Sequence, residues 1–193
     1  VRILLSSATE GHVAPGNHSD QLGRYLMTHP AATTFGLFED DTYPHQGVSA
    51  GQLLNHDDYD QKDAPGGFGS SQWMIGHAIK PHDLLGYGTG RPDIPGANLK
   101  TWLQRAARHL GNMTLVCEDI ALPENRVTLS DRVDSNGIAY AHTHHDLAPT
   151  AAARWVQRMS EGQEILRAAG AQEVWSGPRI GMHIMGGAVM GDD

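Results

Sequence analysis

The stretch from Met113 to His144 decides the fold class, because it contains three candidate strands in close succession. They are predicted at Met113 to Ala121, Arg126 to Ser130 and Gly137 to His144, where apolar residues alternate with polar ones. Between the last two lies Asp134-Ser-Asn-Gly137, a strong signal for a hairpin turn. Successive strands joined by short turns favour antiparallel pairing.

Working outward from this stretch, we predict further strands on both sides, at Thr33 to Phe38, Val48 to Leu54, Gln72 to Ile79 and Gln172 to Trp175. Helices are predicted from Ser19 or Asp20 to Pro30, from Asn98 to Gly111 as its C′ residue, and from Thr150 to Ala169. Residues from Pro81 to Pro95, with three alternating glycines, are expected to form a loop. The sequence therefore predicts an α+β fold with a mainly antiparallel sheet flanked by helices.

Composition narrows the class of protein. The chain has 193 residues, 39% of them hydrophobic, which fits a sizeable folded core. The formal net charge is −8 and no long run of Lys or Arg occurs, so we expect no nucleic-acid partner. No segment has the roughly 20 apolar residues of a membrane span. The single cysteine, Cys117, is expected to be buried and inert, and the compartment stays open.

The clearest chemical signal lies near the end of the chain, in Gly181-Met-His-Ile-Met-Gly-Gly-Ala-Val-Met-Gly191. Glycine permits close backbone approach and unusual φ/ψ angles. His183 is the one side chain in this run that can exchange a proton near neutral pH. The composition is typical of an active-site segment.

This run resembles a motif of the glucose-methanol-choline (GMC) family of FAD-dependent oxidoreductases, in which a histidine is followed by two Met-Gly pairs. Other matches occur in family order, in Asn17-His-Ser-Asp-Gln-Leu-Gly-Arg-Tyr-Leu-Met-Thr-His29, in Asn125-Arg-Val-Thr-Leu-Ser130 and in Ala168-Ala-Gly-Ala171. The chain is most similar to the branch of the gluconate dehydrogenase large subunit. Residues 31 to 112 match only loosely.

The resemblance implies a division of the chain. Residues 1–29 would be the end of an FAD-binding domain with a connecting helix, 30–180 the substrate-binding domain, and 181–193 an active-site segment returning to the FAD domain. The family's Gly-x-Gly-x-x-Gly strand-turn-helix for the pyrophosphate does not occur in this sequence. We therefore expect an internal fragment, inactive alone, whose phosphate site and second catalytic group lie outside the chain.

By the same resemblance, the activity would be oxidation of a CH–OH group of a sugar, sugar acid or polyol by proton abstraction and hydride transfer to FAD. His183 would be the catalytic base. Met185, Gly186, Gly187 and Ala188 would lie along the flavin ring, although Gly186-Gly187 replaces the Gly-Thr that the family often has. The electron acceptor could be a partner such as a cytochrome.

Two other hypotheses come from different classes. His142, His144 and His145 with Asp146 could form a zinc site, which would make the protein a His-rich metal-binding enzyme. A non-catalytic binding domain is the third hypothesis. His29, which falls where the family often has a histidine, either ends a helix or lies near the substrate channel.

The four tryptophans are interpreted as core or interface residues, with sugar stacking as the alternative. They are Trp73, Trp102, Trp155 and Trp175.

Overall fold

The computed structural model describes residues 1–49, 53–60, 69–94 and 96–190. Four helices and eight strands are defined in these ranges, in an α+β arrangement. In chain order they are α1 (Arg2–Leu5), β1 (Met27–Leu37), β2 (Leu53–Asn55), β3 (Ser71–Ile75), α2 (Pro81–Thr89), α3 (Ala97–His109), β4 (Leu110–Cys117), β5 (Arg126–Val133), β6 (Ala139–His144), α4 (Pro149–Ala168), β7 (Glu173–Ser176) and β8 (Ile180–Met185).

The main sheet is antiparallel throughout its described pairings. Its strands follow the order β2-β3-β4-β1-β7, and β8 also pairs with β1. Strands β5 and β6 form a separate antiparallel hairpin. The expected fold class, a mainly antiparallel sheet flanked by helices, is confirmed.

Strand β1 organises the sheet because it has two successive partners along one edge. Its second half, Thr34 to Leu37, pairs with β7, and its first half, Met27 to Ala31, pairs with β8. Along its other edge it pairs with β4. The end of the chain is thereby placed beside the first residues of β1.

Helices cover both faces of the main sheet. On one face, α4 packs against Trp73, Met113 and Leu115 through Met159 and Leu166. On the other face, α2 and α3 cover one end of the sheet, where the core includes Phe35, Leu37, Leu84, Trp102, Ala106 and Leu110. The opposite end of that second face includes the first residues of β1, where His29 lies.

The connecting helix predicted between residues 19 and 30 is wrong. The chain instead makes turns up to Leu26 and then enters β1. Long-range backbone bonds hold it, since the Leu26 N–H donates to the Asn125 carbonyl and the Val127 N–H to that of Gly23. A Cβ at Gly23 would lie 2.2 Å from the Val127 oxygen, so only glycine allows this contact. Tertiary contacts override the local helical pattern here.

The loop predicted from Pro81 to Pro95 is also wrong in its first part, which is helix α2. Pro81 occupies the first turn, and the Lys80 backbone N–H donates to the Asp83 carboxylate in a capping box. Gly88 lies against the side chains of Leu99 and Trp102 of α3. The glycines that indicated a loop thus allow close packing of two helices.

The remaining differences concern element ends. Helix α3 passes straight into β4 at Leu110, so Gly111 is a strand residue and no C′ glycine is used. Helix α4 begins at Pro149 after Ala148, not with Thr150 as its cap. Strand β3 ends at Ile75, before the predicted Ile79. Of the strand predicted from Val48 to Leu54, only the last two residues belong to β2. Residues 50–52 lie outside the described ranges.

Helix α4 is the longest of the molecule, with 20 residues. It has buried arginines, of which Arg158 reaches Asp58 at 2.7 Å and holds the segment before β3 against the helix. None of the helices in the described ranges is long and apolar enough to cross a membrane.

Candidate functional site

Two histidines far apart in sequence meet where β1 and β8 pair. The Nδ1 atoms of His29 and His183 are 3.1 Å apart, within hydrogen-bond distance, and the rings meet edge to face with centroids 5.2 Å apart. His29 is half-buried and His183 is exposed. We call these two residues the histidine pair. It brings the candidate base His183 into contact with the residue expected either to end a helix or to lie near the substrate channel.

A bulge in β8 places His183 in this contact. Met27 pairs with Met185 and His29 with Met182, so two steps along β1 correspond to three along β8. An extra residue in one strand redirects the neighbouring side chains. His183 has a φ of +51°, in the left-handed region that costs a non-glycine residue about 1–2 kcal/mol. Such strain is typical of functional positions.

The contact between two Nδ1 atoms constrains the protons. One nitrogen must donate and the other must accept, so the two neutral rings hold different tautomers. If His183 donates from Nδ1, its Nε2 has a free lone pair and can accept a proton. His29 then accepts at Nδ1 and holds its own proton on Nε2. In this tautomer, Nε2 of His183 can accept a proton while the bond to His29 orients the ring.

The surroundings of His29 favour its neutral form by lowering its pKa. Burial lowers the pKa of His29 below its ordinary value of 6.5, and the nearby His183 lowers it further. The carboxylates of Glu118 and Asp119 act in the opposite direction but do not reverse the shift. A neutral His29 can accept a hydrogen bond from the Nδ1–H of His183, and it does not repel a positive charge that forms on His183.

A small pocket of about 180 Å³ adjoins His29. The described residues that line it are His29, Tyr59, Ser70, Ser71, Gln72, Val116, Cys117 and Glu118. The hydroxyls of Ser70 and Ser71 are buried and have no hydrogen-bond partner among the described residues. Both hydroxyl oxygens are buried, so a molecule in the pocket could reach them only if the surrounding side chains moved. We call this space the His29 pocket.

The walls of the His29 pocket are fixed by contacts from several elements. The Ser70 N–H donates to Glu118 Oε2 at 3.0 Å, and the Gln72 amide oxygen lies 3.0 Å from His56 Nε2. The Tyr59 ring lies against that of His56, with centroids 5.4 Å apart. The carboxylate of Glu118 is thereby held at the edge of the pocket that contains His29.

The glycines that follow His183 are explained by the folding of this chain. A Cβ at Gly186 would lie 1.8 Å from the Tyr25 carbonyl oxygen, and the φ of Gly186 is +79°. Gly187 is buried, and its N–H and carbonyl bond the backbone of Arg24 and Gly23. Met185 is half-buried and paired with Met27. Of the four residues expected along a flavin, Ala188 is the exposed one.

The surface around these residues is apolar and open. Ile184 is 77% exposed and Val189 is 75% exposed, beside the exposed Ala188 and His183. Exposed apolar side chains are a surface that a planar aromatic ring system can cover. The Gly187 N–H, however, already donates to Arg24 and is not free for a cofactor. Three of the four residues expected along a flavin are thus engaged by the fold itself, and Ile184, Ala188 and Val189 are the exposed apolar residues of the segment.

The histidines at the end of β6 do not converge on one point. His145 Nε2 lies 2.6 Å from Asp119 Oδ2, whereas His144 Nε2 lies 3.4 Å from Asp146 Oδ2. Asp119 is also bonded by the backbone N–H groups of Thr28 and Ile120. Across the described ranges, no group of three or more His, Cys, Asp or Glu side chains could hold a metal ion.

The tryptophans lie in packed surroundings. Trp73 and Trp102 are buried in the two cores. Trp175 borders a larger pocket of about 980 Å³, but Phe35 stacks on its ring at 5.4 Å and the Arg91 guanidinium lies 4.3 Å from its centroid. A ring with neighbours of this kind has little free face for a sugar. The interpretation as core residues is confirmed for Trp73 and Trp102, whereas Trp155 and Trp175 are half-buried.

Neither the protein-family models nor the curated proteins include a match for this chain. Sequence reasoning found His183 and noted His29, but it missed Glu118 and the serines. These residues belong to a strand end and a turn with no recognisable motif.

Proposed function

We propose that this chain is the substrate-binding part of an FAD-dependent enzyme of the GMC type that oxidises a CH–OH group. The observation that carries the proposal is the contact between His29 and His183, placed at the open end of the sheet. A base held in position by a second group can accelerate the loss of a hydroxyl proton during alcohol oxidation. The His29 pocket next to the pair supplies room for a hydroxyl-bearing molecule.

The proton is handled by residues of this chain. A substrate bound in the His29 pocket presents its hydroxyl to the histidine pair, and Nε2 of His183 takes the hydroxyl proton. The imidazolium that forms is stabilised through its Nδ1–H bond to the neutral His29. The bulge and the left-handed φ of His183 hold the ring in place before the substrate arrives.

When bound, the flavin would supply the acceptor for the hydride that leaves the substrate carbon. Exposed residues of this chain, Ile184, Ala188 and Val189, would contact its ring, with His183 at the edge facing the substrate. The same apolar residues would exclude water from the place where the hydroxyl loses its proton.

The test is to purify the protein expressed from its complete gene and record its visible spectrum. We expect bound flavin, whose absorbance is lost under anaerobic conditions on addition of a polyol or sugar. The control is the same polyol with its hydroxyls methylated, which should leave the spectrum unchanged. A protein with no bound flavin, even after incubation with FAD, would refute the proposal.

A further inference from the structure

Glu118 is the one anionic side chain among the described residues that line the His29 pocket. Its backbone N–H donates to the Ser70 carbonyl, and its Oε2 accepts the Ser70 N–H, so both ends of the residue are tied to the turn before β3. The charge is therefore held in position.

The pocket has no compensating cation in the described part of its lining. Helix α4 has two buried arginines, Arg154 and Arg158, and neither is among the described lining residues. Arg158 is paired with Asp58 and Glu161. The other lining groups are hydroxyls, an amide and an imidazole, which bind neutral hydroxyls well. The field of Glu118 also reaches the histidine pair, since it acts on the pKa of His29.

We infer that Glu118 is a specificity-determining residue, which makes the site select neutral polyhydroxylated substrates and reject their carboxylate-bearing counterparts. This inference rests on the proposed function. Resemblance to the gluconate dehydrogenase branch leaves sugar acids open as substrates, whereas a fixed carboxylate beside the histidine pair repels a second one. Neutral hydroxyls can instead donate hydrogen bonds to the carboxylate of Glu118.

The experiment compares two matched substrate pairs, D-glucose with D-glucuronate and sorbitol with D-gluconate, in the protein from the complete gene. In each pair, the neutral member has a CH2OH group where the acid has a carboxylate. We expect kcat/KM to favour the neutral member. Glu118→Gln keeps the oxygen that accepts the Ser70 N–H and removes the charge, so it should shift the acid-to-neutral ratio of kcat/KM upward by about tenfold.

The ratio is measured within one variant, so a partly folded preparation does not affect it. The matched control is Glu164→Gln, an exposed carboxylate of α4, which should leave the ratio unchanged. Calorimetric binding of the same sugars to the flavin-loaded protein gives a second readout that does not depend on turnover.

A ratio that is the same in wild type and Glu118→Gln, or a wild type that prefers the acids, would overturn the inference while leaving the proposed oxidation intact. If the protein binds and oxidises none of the four compounds and holds no flavin, the proposed function itself fails and the inference fails with it.

Discussion

Two adjacent glycines near the end of the chain should respond very differently to the same substitution. Gly186 and Gly187 both have positive φ, +79° and +74°, so an alanine at either costs about 1–2 kcal/mol of backbone strain. At Gly186 the new Cβ would also lie 1.8 Å from the Tyr25 oxygen and 2.8 Å from its carbonyl carbon. At Gly187 the nearest atom is a methyl group of Val1, 3.2 Å away, which can move.

The ordinary C···O approach is about 3.3 Å, so Gly186→Ala can form only if β8 moves away from the residues before β1. Adding about 1–3 kcal/mol for this overlap gives a total loss of about 2–5 kcal/mol, against about 1–2 kcal/mol for Gly187→Ala. For a chain of this size, each kcal/mol lowers Tm by about 2–4 °C.

The assay is thermal unfolding of the two variants, together with hydrogen exchange of the β1 amides that face β8. We expect the lower Tm and faster exchange in Gly186→Ala, with Gly187→Ala as its matched control. Equal losses of Tm in both variants would refute the packing argument and leave room for a cofactor as the reason for Gly186.

Further predictions concern the core and the histidine pair. Gly162→Ala should lower the free energy of unfolding by about 1–2 kcal/mol, because the new Cβ would lie 2.2 Å from the Trp73 ring. Gly86→Ala should raise it by up to about 1 kcal/mol, because no atom lies within 4 Å of the new Cβ. Urea titration of both variants checks the opposite signs. Burial raises the pKa of Cys117 to about 12, so a thiol reagent at pH 8 should modify it only as fast as the protein unfolds, and immediate labelling would contradict this. The pKa of His29 is lowered below 6.5 in the folded state, so the folded protein binds a proton there less readily than the unfolded chain. The contribution of neutral His29 to stability is therefore complete above pH 6.5 and is lost as the pH falls toward the folded pKa. His29→Gln should weaken the pH dependence of Tm in that window, and an unchanged slope would argue against this.

Much of the fold could be predicted because its signals are local. Helix α3 and the β5–β6 hairpin follow from apolar spacing and from the Asp134 to Gly137 turn, and the structure confirms both. The region from residue 19 to 29 could not be predicted, since bonds to residues 125 and 127 decide its path. The glycines of α2 led to the wrong prediction of a loop, because Gly88 instead allows α2 to pack closely against α3.

The candidate site was predictable only in part. His183 was found from its glycine-rich neighbours, but its contact with His29 spans 154 residues of sequence and depends on the bulge in β8. No periodicity encodes that meeting. The His29 pocket depends on the turn that ties Ser70 to Glu118, a tertiary contact with no sequence signature.

The most direct test of the central claim, that His183 is the base, is the rate of flavin reduction by a polyol in His183→Ala, measured by anaerobic stopped flow in the protein from the complete gene. We predict that flavin stays bound, that the rate falls by about 10²–10⁴, and that added imidazole restores part of it. A variant that reduces its flavin at the wild-type rate would contradict the account.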